Sequence, residues 1–145
     1  MLAALVAAIV LPLNTATAVA TPATAGARPA ALTLTLRYEM QCGRPGAGPV
    51  VVSLPAAERV PHAIARANVL VDGKAPRSVS VSGHAVTIAL VLPHGITCMV
   101  IGPGTLTVSF TRAAGLGNPA AAGRYRAGVR VGARTFAPRF TIRKA

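Results

Sequence analysis

Acidic residues are scarce in this chain, which has Glu39, Glu58 and Asp72 against fifteen Lys and Arg, for a formal net charge of +12. Three acids scattered over 145 residues do not readily supply the paired carboxylates used in general acid–base catalysis. The sequence also lacks a G-x-S-x-G elbow, a C-x-x-C pair and a glycine-rich loop followed by Lys and Ser or Thr. We therefore expect a protein that is not an enzyme and holds no cofactor.

Aromatic residues are also few, with no Trp, two Tyr and three Phe. Proteins that bind single-stranded nucleic acid stack the bases on aromatic side chains, so the positive charge does not predict a nucleic-acid partner here. The charge instead suits an anionic cell-wall polymer, lipid headgroups or an acidic protein. The alternative is that the positive charge reflects composition alone and not binding. Nearly all basic residues are Arg, and the chain is rich in Ala, Gly, Pro and Val, which is the residue usage that a GC-rich coding sequence gives.

The longest apolar run is Leu2–Leu13. A bilayer span needs roughly 20 residues, so this run is too short to cross and fits the hydrophobic region of a secretory signal peptide. Three small-x-small triplets follow, which predicts a signal peptide over residues 1–25 and a mature start between Val19 and Gly26. An uncleaved anchor is the alternative, because no basic residue precedes Arg28. The expected location is secreted or periplasmic, at the cell envelope, with no transmembrane span after processing.

The rest of the chain is predicted to be a flexible linker, residues 26–31, and one domain, residues 32–145. Leu32–Met40 alternates apolar and polar residues, which indicates a half-buried strand. Comparable short segments recur at near-regular spacing between Gly, Pro and Asp-Gly turns, and no stretch predicts a convincing helix. We expect an all-β sandwich of about eight or nine short strands.

Strand boundaries are predicted most sharply where Gly and Pro interrupt the pattern. A short strand over Cys98–Ile101 is expected to end at Gly102-Pro103-Gly104, because Pro and Gly weaken strand interiors. Further on, the apolar alternation predicts one strand over Tyr125–Val131 and a last one over Phe136–Ile142.

Several short motifs resemble those of bacterial secreted and cell-surface immunoglobulin-like domains. The strand Gly104–Phe110 leads into Gly115-Leu116-Gly117-Asn118-Pro119, and Ala122–Tyr125 then opens the next strand. Val69–Gly73 followed by Val79–Gly83 is similar to a second motif pair of those domains. The resemblance implies an envelope-associated β-sandwich of unassigned function, and it carries over no catalytic residue.

Cys42 and Cys98 are predicted to form a structural disulfide, because an isolated cysteine pair in an oxidising compartment is normally bonded. The alternative is a small copper-handling protein that uses reduced cysteines with Met40 and Met99, since thiolate and thioether groups bind Cu(I). No His follows Cys98, so the loop ligands of a blue-copper site are missing. We predict no metal site, and the three histidines lie in predicted turns or loops: His62, His84 and His94.

Seven basic residues cluster near the C-terminus and form the predicted binding surface: Arg124, Arg126, Arg130, Arg134, Arg139, Arg143 and Lys144. Alternation places Arg124, Arg126 and Arg130 on one strand face, with the apolar side chains on the other. Guanidinium groups bind carboxylate and phosphate bidentately. The sequence thus predicts a non-catalytic exported protein that binds an anionic envelope component or a protein partner. An uncharacterised structural module with no ligand is a further alternative.

Overall fold

The computed structural model describes residues 11–46, 48–91 and 98–145, so most of the apolar run, Leu92 and His94 lie outside the described residues. The described chain has eleven strands and two single-turn 3₁₀ helices, Arg66–Asn68 and Arg112–Ala114, which confirms the predicted all-β class. The strand count exceeds the predicted eight or nine, because β1 was not expected and two of the predicted strands are each divided in two. The strands are β1 (Thr15–Thr21), β2 (Ala31–Gln41), β3 (Val50–Ser53), β4 (Val69–Val71), β5 (Ser78–Ser82), β6 (Ala85–Ala89), β7 (Ile101–Phe110), β8 (Gly123–Arg126), β9 (Gly128–Val131), β10 (Arg134–Phe136) and β11 (Arg139–Ile142).

The strands form two larger sheets and one ribbon. The four-stranded sheet has the order β1-β2-β7-β4, the five-stranded sheet has the order β10-β9-β3-β6-β5, and β11 pairs with β8. Each of these pairs is antiparallel. Buried residues from both large sheets belong to one hydrophobic core, so the architecture has two layers around a shared interior.

Strand β2 supplies the centre of that core. Its inward row, Leu32 to Met40 at every second residue, is almost completely buried, as the alternation predicted. Leu106, Val108 and Phe110 of the neighbouring β7 are buried beside it. Val52 and Ile88 contribute the facing layer from the five-stranded sheet. Thus the period-two pattern in the sequence determines the inner face of the molecule.

Strand β7 does not break at Gly102-Pro103-Gly104, which corrects the predicted strand end. The three residues pair with Met40, Glu39 and Tyr38 of β2. Proline is tolerated there because β4 pairs only with the far part of β7, so among the described residues this stretch has β2 as its one neighbouring strand. A side chain at Gly104 would bring its Cβ within 2.9 Å of Met40 Cγ, so glycine permits the close packing of Met40.

The segment predicted as signal peptide and linker is structured where it is described. Strand β1 pairs with β2 along its whole length and buries Ala18 and Ala20. In place of the flexible linker predicted for residues 26–31, the chain is packed: Ala30 is buried and its N–H donates to Leu116 O at 2.8 Å. Hydrogen bonds to residues 116–119 hold this segment, which composition alone could not reveal.

The predicted strands over 125–131 and 136–142 are each divided in two. Ala127 separates β8 from β9, and Ala137-Pro138 separates β10 from β11. The Ala127 N–H donates to Pro138 O at 2.9 Å, so both strands are interrupted at the same level. Proline has no N–H for the ladder, and the ribbon β8–β11 therefore leaves the five-stranded sheet at this point.

Candidate functional site

Strand register defines two opposite ends of the sandwich. At the first, β2 finishes at Gln41 opposite Ile101 of β7, and the following loop leads to Val50 at the start of β3. At the other, β3 finishes at Ser53 opposite Gly128, and β8 precedes Gly128. We term the first the disulfide end, because it carries both cysteines, and the second the ribbon end.

Exposed large hydrophobic side chains concentrate at the disulfide end. Among the described residues six are exposed, and five of these lie here: Leu13, Val91, Met99, Val100 and Ile101. Met99 is 86% exposed, and Val100 and Ile101 are each 69% exposed. The sixth, Val19, is 58% exposed on β1. Single exposed apolar residues are ordinary, whereas a group on one end indicates a contact surface; we term these five residues the apolar end.

The segment that carries Met99, Val100 and Ile101 is bonded to the end of β2. Cys42 and Cys98 form the predicted disulfide, with Cα atoms 6.2 Å apart, and so leave no free thiol. The Cys42 N–H donates to Val100 O at 2.8 Å, and the Gln41 side-chain amide donates to Cys98 O. These bonds fix the backbone of residues 98–101 against β2 while the apolar side chains stay in water.

Arg134 belongs to the disulfide end and has local partners. Its guanidinium donates to Asn14 Oδ1 at 2.9 Å and lies 5.5 Å from the ring centroid of Tyr38. The Tyr38 hydroxyl donates to Pro45 O at 3.2 Å, and burial raises the pKa of this phenol to about 12. Arg134 therefore helps to hold the chain before β1 against the sandwich.

The seven predicted binding residues are divided among three places. Arg134 is on β10 as described, and Arg130 is on β9, where it lines a shallow groove with Thr135 and Phe136. The other five are exposed on or next to the ribbon β8–β11: Arg124, Arg126, Arg139, Arg143 and Lys144. We term these five residues the basic patch. The division of the strand after Arg126 separates Arg130 from the patch.

Cross-strand register concentrates charge within the basic patch. Arg126 pairs directly with Arg139, and Arg124 pairs with Thr141. The other face of the ribbon is apolar: Phe140 and Ile142 are buried in the core, and the Tyr125 ring lies 6.0 Å from that of Phe140. None of the three acids lies on the ribbon, since Glu39 is on β2, Glu58 follows β3 and Asp72 follows β4.

The residues considered as copper ligands are two bonded cysteines, one buried methionine and one exposed methionine. Both cysteines are in the disulfide, so they offer no thiolate. Met40 is buried in the core, whereas Met99 is exposed at the disulfide end. Within residues 11–46, 48–91 and 98–145, no group of three or more His, Cys, Asp and Glu is placed to hold a metal ion.

One buried acid was not singled out by the sequence. Glu58 is 3% exposed, and its Oε2 has no hydrogen-bond partner in the described part of the chain. Desolvation by burial raises the pKa of this carboxyl group from 4.5 to about 7. Its backbone carbonyl lies 3.0 Å from His84 Nε2, which ties the segment after β3 to the β5–β6 turn. Nothing in the local sequence marks Glu58 as buried.

Sequence reasoning also missed the apolar end. Its one local signal is Met99-Val100-Ile101, three consecutive apolar residues that interrupt the period-two alternation. The sequence predicts only a short strand over Cys98–Ile101 and does not indicate that these side chains are exposed. No helix in the described residues has the length and apolar character needed to cross a membrane.

Comparison with known proteins finds a likeness in fold. No family model matches the chain, and no curated protein matches it. Among solved structures, the chain is similar to the crystal structure of BslA, described as a bacterial hydrophobin. The TM-score is 0.55 at 18% identity, and the match covers 90% of this chain and 98% of that chain. At this identity the likeness shows a shared all-β fold.

Proposed function

We propose that this protein is a non-catalytic, extracellular all-β protein that adsorbs through its apolar end to the boundary between water and a nonpolar phase. The observation that carries the proposal is the collection of exposed Leu, Val, Met and Ile side chains at one end. Complete transfer of one such side chain out of water is worth roughly 1.5–3 kcal/mol, so several together give useful adsorption energy. The description of BslA as a hydrophobin agrees with this role.

Two further features support the proposal. The disulfide and the Cys42–Val100 hydrogen bond hold the apolar segment in place, so adsorption needs little additional ordering. The disulfide is also typical of proteins in oxidising compartments, which supports secretion or a cell-envelope location. Two antiparallel sheets around one core agree with the immunoglobulin-like class that the sequence motifs suggested, and we retain that class as part of the proposal.

The test is interfacial tension measured by pendant drop at the air–water and alkane–water boundaries. We expect the wild type to lower the tension and the variant Met99→Gln/Val100→Thr/Ile101→Thr to do so more slowly and to a smaller extent. Threonine preserves the β-branched shape that suits a strand, so the variant is expected to remain folded.

A matched control is available in Val19→Thr, because Val19 is similarly exposed but lies on β1 away from the apolar end. We expect Val19→Thr to match the wild type, while Val100→Thr alone has a measurable effect. Equal tension curves for the triple variant and the wild type would refute the proposal. A wild-type dimer in solution that the triple variant abolishes would instead assign the apolar end to self-association.

A further inference from the structure

We infer that the basic patch at the ribbon end binds an extended, soluble polyanion whose charges are carboxylate or phosphate groups. This surface is separate from the apolar end. It contains five of the seven basic residues that the sequence predicted as binding residues. The inference does not depend on adsorption at the disulfide end.

The strand register supplies the first argument. Like charges directly opposite each other destabilise an antiparallel pair, and Arg126 lies directly opposite Arg139. Arg124 is two residues along the same face, so the ribbon presents a short row of guanidinium groups. No acid of this chain lies on the ribbon to compensate them. A polymer with carboxylates or phosphates would supply the missing charge and satisfy the guanidinium groups bidentately.

The ribbon is also a firm support for such contacts. Its inner residues Phe140 and Ile142 are buried in the common core. At its end, the Ala25 N–H donates to Arg143 O at 2.8 Å, and the Arg143 N–H donates to Ala23 O at 2.8 Å. The backbone that carries the patch is therefore anchored independently of the arginine side chains.

The surroundings of the patch favour a soluble polymer over a bilayer or a nucleic acid. Surfaces that bind bilayers combine basic residues with apolar side chains that insert, and none of the exposed large hydrophobics among the described residues lies on the ribbon. Nucleic-acid surfaces stack bases on aromatic rings. Tyr125, which stands between Arg124 and Arg126, packs on Phe140, and its hydroxyl donates to Ala121 O at 2.6 Å.

The test is binding of the purified full chain to immobilised polygalacturonate and polyphosphate, with neutral dextran as the blank, at 50 and 200 mM NaCl. We expect the affinity to fall about tenfold or more between the two salt concentrations, since each charge contact releases counterions. The variant Arg126→Gln/Arg139→Gln should bind roughly tenfold more weakly at 50 mM NaCl. The two polymer arms identify which anionic group is preferred.

The matched control is Arg77→Gln/Arg130→Gln, which removes the same charge from exposed arginines outside the patch and should bind like the wild type. Arg126→Lys/Arg139→Lys should keep the salt dependence with weaker binding, because Lys lacks the bidentate fork. Equal weakening by both glutamine pairs would overturn the inference in favour of net charge. Absence of salt-dependent binding, or tighter binding to phosphatidylglycerol vesicles or to DNA, would also overturn it. The triple variant at the apolar end should bind both polymers normally.

Discussion

At the scale of single residues, the burial of Glu58 makes the stability of the fold depend on pH. Burial raises the pKa of its carboxyl group to about 7, above the usual value of 4.5. Between these two pH values the folded protein binds more protons than the unfolded chain, so the free energy of unfolding falls as the pH rises from 4.5 to 7. We expect Glu58 alone to lower stability by roughly 2–3 kcal/mol across that range.

Replacing Glu58 with Gln removes the ionisable group and keeps its shape. We expect Glu58→Gln to flatten the pH dependence of urea unfolding and to be more stable than the wild type at pH 8, with little difference at pH 4. Glu39→Gln is the control, since Glu39 is exposed on β2. Parallel pH profiles for the wild type and Glu58→Gln would show that Glu58 ionises normally in the folded protein.

At the scale of secondary-structure elements, β1 is the strand with the clearest test. A chain that begins at Gly26 loses the pairing of β1 with β2, the buried Ala18 and Ala20, and the partners of the Asn118 side chain. That amide, itself buried, donates to Pro22 O at 2.7 Å and to Thr24 O at 2.9 Å. We expect this truncation to lower the free energy of unfolding by several kcal/mol and to promote aggregation through the exposed edge of β2.

The free energy of unfolding of this truncated chain is compared with that of a chain that begins at Leu11. The variant Asn118→Ala of the longer chain is expected to fall between the two. Asn118→Ala removes only the side-chain anchor, so its cost should be about 1–3 kcal/mol. Equal urea midpoints for the chains that begin at Leu11 and Gly26 would contradict a structural role for β1. Equal midpoints would also mean that a mature chain beginning between Val19 and Gly26, as the sequence predicts, keeps this fold without β1.

The same elements show which parts of the fold the sequence could predict. Strands β2, β5 and β6 follow from alternation, because one of their faces is more buried than the other. Strand β1 was missed because its Thr and Ala residues follow an apolar run and fit a cleavage region equally well. The continuity of β7 through Pro103 depends on which described strands pair with it there, and that pairing is a property of the assembled sheet.

The candidate surfaces were also predictable to different degrees, because some of their features follow from the local sequence and others from how the strands assemble. The disulfide followed from there being two cysteines in a chain predicted to be exported. The cluster of basic residues near the C-terminus is visible in the sequence, but the limit of the basic patch after Arg126 depends on where the strand divides. The apolar end could not be predicted, because Val91 follows β6 of the five-stranded sheet and Met99 precedes β7 of the four-stranded sheet, and the strand pattern does not show how the two sheets pack.

At the scale of the whole molecule, the two proposed surfaces lie at opposite ends of the sandwich. The apolar end lies next to the C-terminal end of β2. The ribbon lies at the other end, because β8 leads into β9 and β11 follows β10 there. A molecule adsorbed through its apolar end therefore turns its basic patch towards the water. If both proposals hold, one molecule attaches an anionic polymer to a nonpolar boundary without competition between the two surfaces.

This arrangement predicts that a preadsorbed film of the protein still binds the polymer. We expect ellipsometry at the air–water boundary to show a second layer when polygalacturonate or polyphosphate is added beneath the film. A rise from 50 to 200 mM NaCl should release the polymer and leave the protein, because charge contacts weaken with salt and apolar burial does not. A film of Arg126→Gln/Arg139→Gln should form normally and bind little polymer. Displacement of the wild-type protein by added polymer would contradict two separate surfaces, since it would mean that both ligands compete for one end.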